Sequence, residues 1–297
     1  MATRLAYRGK TVPVIDREWM VRKTMFVFAM MAVFGIALIL VLVVKESIPA
    51  LTKAGPFNLF FSADWSPVEG RYGMLVFVIG TLLTTVGGLL LGVPLALGTA
   101  VFLTQVAPPR VGAAVSRGVE LLAGIPSIVI GWLGFTLLVP LLGTFTRTAG
   151  NGVLAASIIL GIMVIPTITT IARDALDAVP ASYKHASIGL GATRWQTTWH
   201  VVLPAARGGI LVAVILGMGR AIGETVAVAL VIGPASTLPK SLTTPTHTLT
   251  TKILMEMGEA TGIHRSALFS MALVLLLISV TLIATIRRFS RQKAYAR

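Results

Sequence analysis

His185-Ala186-Ser187-Ile188-Gly189-Leu190-Gly191, followed by Val201-Val202-Leu203-Pro204, lies between two long apolar stretches. The segment is amphipathic and contains a turn, so it can neither cross a bilayer nor build a core of its own. Pro180 suits the start of a short helix, because its missing N–H is not needed at the first helical position. Gly189 and Gly191 then permit a sharp turn. Thr193 and Gln196 have the spacing of a capping box for a second helix, on which Trp195 and Trp199 share a face. Pro204 is expected to close that helix. Residues 173–207 therefore read as a helix–turn–helix elbow that docks outside the membrane and carries motion back in. From the residues alone, an amphipathic loop resting on lipid headgroups fits equally well.

The surroundings of the elbow set the fold class. The chain of 297 residues is 55% hydrophobic and 12% charged, with a mean hydropathy of +0.87. Soluble domains run near 45–50% apolar and about 25% charged. Apolar runs fall at about 24–44, 74–103, 110–142, 153–172, 208–232 and 266–286. Each reaches the roughly 20 residues a bilayer crossing needs, without the alternation of a barrel strand. An all-α membrane protein with six transmembrane helices follows. Pro94 should kink the second helix, and Gly124-Ile125-Pro126-Ser127 should interrupt the third. The first run is longer than a signal-peptide core and is expected to remain as an uncleaved helix.

The domain plan is an N-terminal segment 1–23, a membrane domain 24–286 containing the loop 173–207, and a basic tail 287–297. With both termini in the cytoplasm, 17 of the 25 Lys and Arg residues fall on cytoplasmic segments, counting Arg110 and Arg117 at the cytoplasmic end of the third run, seven fall outside, and Arg220 lies deep within a helix. This asymmetry is the positive-inside pattern, and it accounts for the net charge of +14 without nucleic acid. The segments 45–73 and 234–265 are then external. The first holds Phe57, Phe60, Phe61 and Trp65, which suit either the membrane interface or packing on the bundle.

Several chemistries are excluded. Zero cysteines remove disulfides and thiolate metal sites, and the four histidines lack ligand spacing, so no metal site is expected. There is no phosphate-binding Gly-rich loop of the G-x-x-x-x-G-K-S/T type, so ATP is not hydrolysed by this chain. The absence of an internal repeat weighs against a carrier built from inverted halves. A channel or proton-coupled carrier would need more deep charges than Arg220 and Glu224.

Those two residues form the other candidate site. Arg220 and Glu224 stand at i, i+4 spacing inside the fifth run and should share one helical face, with Gly219 and Gly223 offering close approach to another helix. A self-satisfied ion pair is one reading. The other gives Arg220 to a permeating anion, since a guanidinium presents a planar fork and keeps its charge. Glu224 would then hold the Arg and keep the anion from being trapped. Thr81, Thr84 and Thr85 either supply neutral donors along the path or bond back to their own helix.

The elbow resembles the coupling loop of ABC importer permeases: Ala186, Gly191, Val201, Leu203 and Pro204 match its spacing. His185 stands where that family usually has Glu, and Ser187 where it has Ala. Further stretches (Tyr72-Gly73, Gly80 to Thr85, Phe102-Leu103-Thr104, Glu120 to Ser127 and Gly219 to Thr225) resemble the phosphate-specific transport permeases of PstC type. The resemblance implies the type I ABC importer permease fold, a non-enzymatic subunit of the bacterial cytoplasmic membrane, and phosphate import by alternating access. It implies four partners: a PstA-type second permease, a PstB-type ATPase dimer that holds ATP and Mg, a PstS-type external phosphate-binding protein, and the bilayer. It also implies coupling through His185, Ala186, Ser187, Gly191, Leu203 and Pro204. A permease for sulfate or molybdate remains the alternative.

Overall fold

Lipid offers no partners to backbone N–H and C=O groups, so each crossing must satisfy them within itself, and this chain does so with helices. The computed structural model describes residues 14–295, with side chains from residue 19 to 286 and at 288. The expected features of residues 1–13 and 296–297 lie outside the described residues. Six helical stretches are long and apolar enough to cross a membrane: Trp19–Ala54, Leu75–Val106, Ser127–Thr146, Val153–Asp177, Arg194–Gly223 and Gly262–Ile286.

The chain divides into two units, residues 1–46 and 47–297. The described residues of the first, 14–46, are helix, part of α1 (Val14–Ala54), whose large apolar side chains from Trp19 to Leu42 are exposed. The helix outruns the expected 24–44 at both ends, and Pro49, expected in a loop, lies within it.

In the second unit, α2 (Pro56–Phe61) and a short hairpin of β1 (Trp65–Ser66) and β2 (Arg71–Tyr72) precede α3 (Leu75–Val101). The hairpin is antiparallel with Trp65 opposite Tyr72. Next come α4 (Pro109–Gly124), α5 (Ser127–Leu133), α6 (Val139–Thr146) and α7 (Val153–Asp177). The elbow is α8 (Ala181–Gly189) and α9 (Arg194–Thr197). It leads into α10 (Leu203–Gly223), α11 (Val226–Ile232), α12 (Leu249–Glu256) and α13 (Gly262–Tyr295). Single π-helical turns occupy 102–106, 134–138 and 198–202.

The core forms around α7, which packs against α3 on one side and α10 on the other. Val164, Ile168 and Ala172 of α7 are fully buried in that seam. A second apolar cluster joins Leu59, Met74, Phe77, Leu249, Leu268 and Met271, tying α2, the start of α3, α12 and α13 together.

Three expectations change. The third crossing is interrupted at Ile125-Pro126 as read, but the span long and apolar enough to cross is Ser127–Thr146 beyond it. The preceding α4 is a separate amphipathic helix with no buried residue. Pro204 does not end the elbow's second helix. Its missing N–H is absorbed because the chain enters α10 through the π turn, where the Leu203 N–H reaches back to the Thr198 carbonyl. The fifth crossing, read as one helix, ends at Gly223 and resumes at Val226.

Candidate functional site

Three groups of residues carry chemistry, and the first is the break in the fifth crossing. Glu224 takes an extended conformation (φ −68°, ψ 128°) and its N–H reaches only the Ala221 carbonyl, at 3.4 Å. Its carboxylate Oε1 accepts from the Ala227 N–H at 3.4 Å, which caps the start of α11. Its carbonyl accepts from the Thr250 hydroxyl at 3.0 Å. Because the helix ends first, Arg220 and Glu224 do not share a face, and the ion pair, one of the two readings, is not formed among the described residues. Arg220 is exposed and, among the described residues, makes no hydrogen bond or ion pair. The close-approach role expected of Gly219 and Gly223 is not met within this chain, since a Cβ at either would meet nothing within 4 Å. Gly131 performs it instead: a Cβ there would lie 2.6 Å from the Ala227 Cα, so α5 and α11 pack directly above their two breaks.

Glu224 thus works through Thr250, which lies on α12 in a segment that turns back into the bundle. Thr248 and Thr251 cap that helix with a capping box. Leu249 N–H donates to Thr81 Oγ1 at 2.9 Å, while the Thr81 hydroxyl donates to the Phe77 carbonyl at 2.8 Å. Thr84 bonds back to the Gly80 carbonyl at 2.8 Å. Thr81 therefore anchors α12, and Thr84 follows the back-bonding alternative. Thr85 is buried one turn further along the same face. At Gly80 a Cβ would lie 2.3 Å from the His247 carbonyl oxygen, so only glycine admits the segment this close.

The second group was missed from the sequence. Glu256 sits between Lys252, Trp65 and His264: its Oε1 pairs with Lys252 Nζ, and its Oε2 accepts from Trp65 Nε1 at 3.0 Å and meets His264 Nε2 at 2.9 Å. Lys252 also donates to Ser236 Oγ at 3.0 Å and lies 5.3 Å from the Phe77 ring centre. Trp65 meets Tyr72 and Phe77 edge-on, and Tyr72 stacks on His264. Burial alone would push the Glu256 carboxyl up. The hydrogen bonds and charges of Lys252 and His264 outweigh it and hold the carboxyl below its ordinary value. His247, desolvated by burial and repelled by Lys252, is lowered from 6.5 to about 4. Trp65 stands out in the sequence only among the external aromatics, and the i, i+4 spacing of Lys252 and Glu256 is the other local signal that could have pointed here.

The third group is the elbow, which forms as read except at Pro204. Pro180 precedes α8, Gly191 turns the chain at φ +89°, and the Thr193–Gln196 capping box closes from both sides at 3.2 and 2.8 Å. Ser187 Oγ and Thr197 Oγ1, 3.0 Å apart, fasten the two arms. Trp195 and Trp199 pack edge to face with ring centres 5.7 Å apart. His185 and Ala186 are exposed on α8, whereas Leu203 and Pro204 are half-buried where the elbow joins α10. Among the described residues no cluster of three or more His, Asp or Glu has the arrangement of a metal site.

Residues 88–294 match the family model for the binding-protein-dependent transport system inner membrane component. The chain is 35% identical to the Phosphate transport system permease protein PstC of Pasteurella multocida, with 91% of this chain and 90% of that protein covered. It is 40% identical to the Probable ABC transporter permease protein YqgH of Bacillus subtilis, with 80% and 79% covered. Among solved structures it resembles a bacterial alginate ABC transporter in complex with an alginate pentasaccharide-bound periplasmic protein. That match has a TM-score of 0.66 at 16% identity and covers 94% of this chain and 96% of the other, a likeness of fold alone.

Proposed function

We propose that this chain, which belongs to the binding-protein-dependent transport system inner membrane components and among them to the PstC-type phosphate permeases, is the half of an ATP-driven importer that carries inorganic phosphate past Arg220. The observation that carries the reading is the position of that cation. Arg220 sits in the last turn of α10 beside a helix break, exposed and without a protein partner among the described residues. A charge held within a crossing is costly unless water, a partner or a ligand reaches it. Its fixed charge and forked donors suit an oxyanion, and a single cation attracts without the grip of a cage.

In this reading Glu224 is not the counter-ion of Arg220. It holds the break, capping α11 with its carboxylate and binding Thr250 with its carbonyl, so Arg220 keeps its position. Thr81 fixes α12 beside it, and Thr85 borders the path. The elbow and both termini face the cytoplasm. There the elbow seats on a PstB-type ATPase dimer that holds ATP and Mg. A PstA-type permease completes the membrane unit, and a PstS-type phosphate-binding protein docks on the opposite side, near residues 47–73 and 234–261. Nucleotide-driven movement of the elbow tilts α10, and access to Arg220 alternates between the two sides.

The test is Arg220→Ala in the assembled transporter. Uptake of radiolabelled phosphate should be lost while the partner subunits still co-purify; normal uptake would end the assignment. Sulfate or molybdate, oxyanions with the same attraction to a guanidinium, are the second reading. If excess of either suppresses labelled phosphate uptake as strongly as unlabelled phosphate does, specificity for phosphate is refuted.

A further inference from the structure

We propose that the elbow seats in a carboxylate-lined groove of its ATPase, with Trp195 and Trp199 as the apolar anchor. This rests on the elbow being the ATPase seat, and it adds the chemistry of that seat. Between Ala178 and Gly223 the chain contains no Asp or Glu, while Lys184, His185, Arg194, His200 and Arg207 all fall there. The carboxylates Asp174 and Asp177 lie earlier, on the bundle side, where Arg173 pairs with Asp177 at 3.6 Å. His185 occupies the position at which the resembling family usually carries an acid, so the two arms of the elbow, within residues 178–202, have no negative charge to offer a basic groove.

Depth decides between lipid and protein as the cover. A Cβ on Gly209 would lie 2.3 Å from the Ala175 Cβ, so these residues are level. From Val153, where α7 begins, to Ala175 is roughly 33 Å of helix, about the thickness of the hydrocarbon layer. Ala175 and Gly209 therefore mark its elbow-side edge. The helical stretch continues back from Gly209 to Arg194. Measured along the helix axis, this carries Trp199 and Trp195 up to roughly 15 and 21 Å beyond that edge. The headgroup layer adds only about 5–8 Å. Trp195 and Trp199 nevertheless stay 59% and 53% exposed, and Leu190 at the turn is 90% exposed. Large apolar side chains flanked by cations, beyond the reach of lipid, fit a protein surface with an apolar pocket rimmed by acids. The capping box and the Ser187–Thr197 contact fix the two arms beforehand, so little ordering is left to oppose docking.

The experiment uses the full-length chain, tagged and co-expressed with its permease and ATPase partners, extracted in detergent and captured over a NaCl series. The captured ATPase is identified by nucleotide hydrolysis. Recovery of the ATPase should fall as salt rises. Lys184→Glu and His185→Glu should each lower it further, and Trp195→Ala with Trp199→Ala should reduce it at least about tenfold. All four side chains except Lys184 are exposed, and an unchanged melting temperature of the extracted variants separates lost docking from lost folding. Recovery that is unchanged or improved by both Glu substitutions, with the tryptophan variant still defective, overturns the acidic groove and leaves the ATPase seat standing. Full recovery with every variant overturns the seat itself. In nanodiscs, quenching of Trp195 and Trp199 fluorescence by headgroup-labelled lipid, judged against a Trp195→Phe, Trp199→Phe variant, would overturn the proposal in favour of a membrane contact.

Discussion

The two long segments between crossings, the elbow at 178–202 and the stretch 234–265, use their cations in opposite ways. On the second, Lys252 is 8% exposed and held by Glu256, Ser236 and the ring of Phe77, and His264 shares the same carboxylate. On the elbow Arg194 is exposed and, among the described residues, its side chain pairs with no carboxylate. A buried cation must find its counter-charge inside the fold, and once found, that pair serves to hold elements together. An exposed one is left for a partner. Residue type alone therefore says little about role; the number of internal partners says most of it.

That contrast can be broken by experiment. Lys252→Met removes one side of a pair whose carboxylate is 24% exposed, leaving Glu256 without its main counter-charge. The cost should be about 2–3 kcal/mol, below the 3–5 of a fully buried pair, and appear as a lower melting temperature in detergent. The matching change on the elbow, Lys184→Met, should alter stability by less than about 0.5 kcal/mol. Equal losses would dissolve the distinction.

Acidity should act on the region around His247 and Glu256. His247 is lowered from 6.5 to about 4, so the unfolded chain takes up its proton first, and stability is lost as the pH falls through that window. Glu256, also lowered, extends the loss as its folded-state value is passed. Melting temperature should thus fall between pH 6.5 and 4, and His247→Gln should flatten the curve there. A curve unaffected by that substitution would remove His247 from the account.

Smaller effects sharpen the picture. Thr250→Val removes the hydrogen bond to the Glu224 carbonyl and should cost about 1 kcal/mol, with reduced phosphate uptake if the break must be held for Arg220 to work. Thr193→Ala removes the N-cap of α9 and should cost about 0.5–1 kcal/mol, weakening ATPase recovery more than overall stability. Uptake at full rate in the first variant, or full recovery in the second, would separate these bonds from function.

How much of this was legible depends on the range of the forces involved. The capping box at Thr193, the turn at Gly191 and the break at Pro126 were readable because each follows from a residue and its immediate neighbours. Pro204 misled because the π turn that accommodates it depends on the continuing helix. The break at Glu224 carries no proline. It is held by Ala227 and by Thr250 from a later segment, and the i, i+4 reading of Arg220 and Glu224 failed with it. The Trp65–Glu256–His264 cluster joins three separated segments, so no local pattern announced it.

The sequence by itself determined that the chain crosses a membrane as helices and bends once into a capped elbow, because burial of apolar length and local backbone caps need only nearby residues. Only the tertiary structure decided which charges are spent inside the fold. Lys252 and Arg220 are both cations next to apolar sequence, and what separates them is a carboxylate that three-dimensional packing brings to one and withholds from the other.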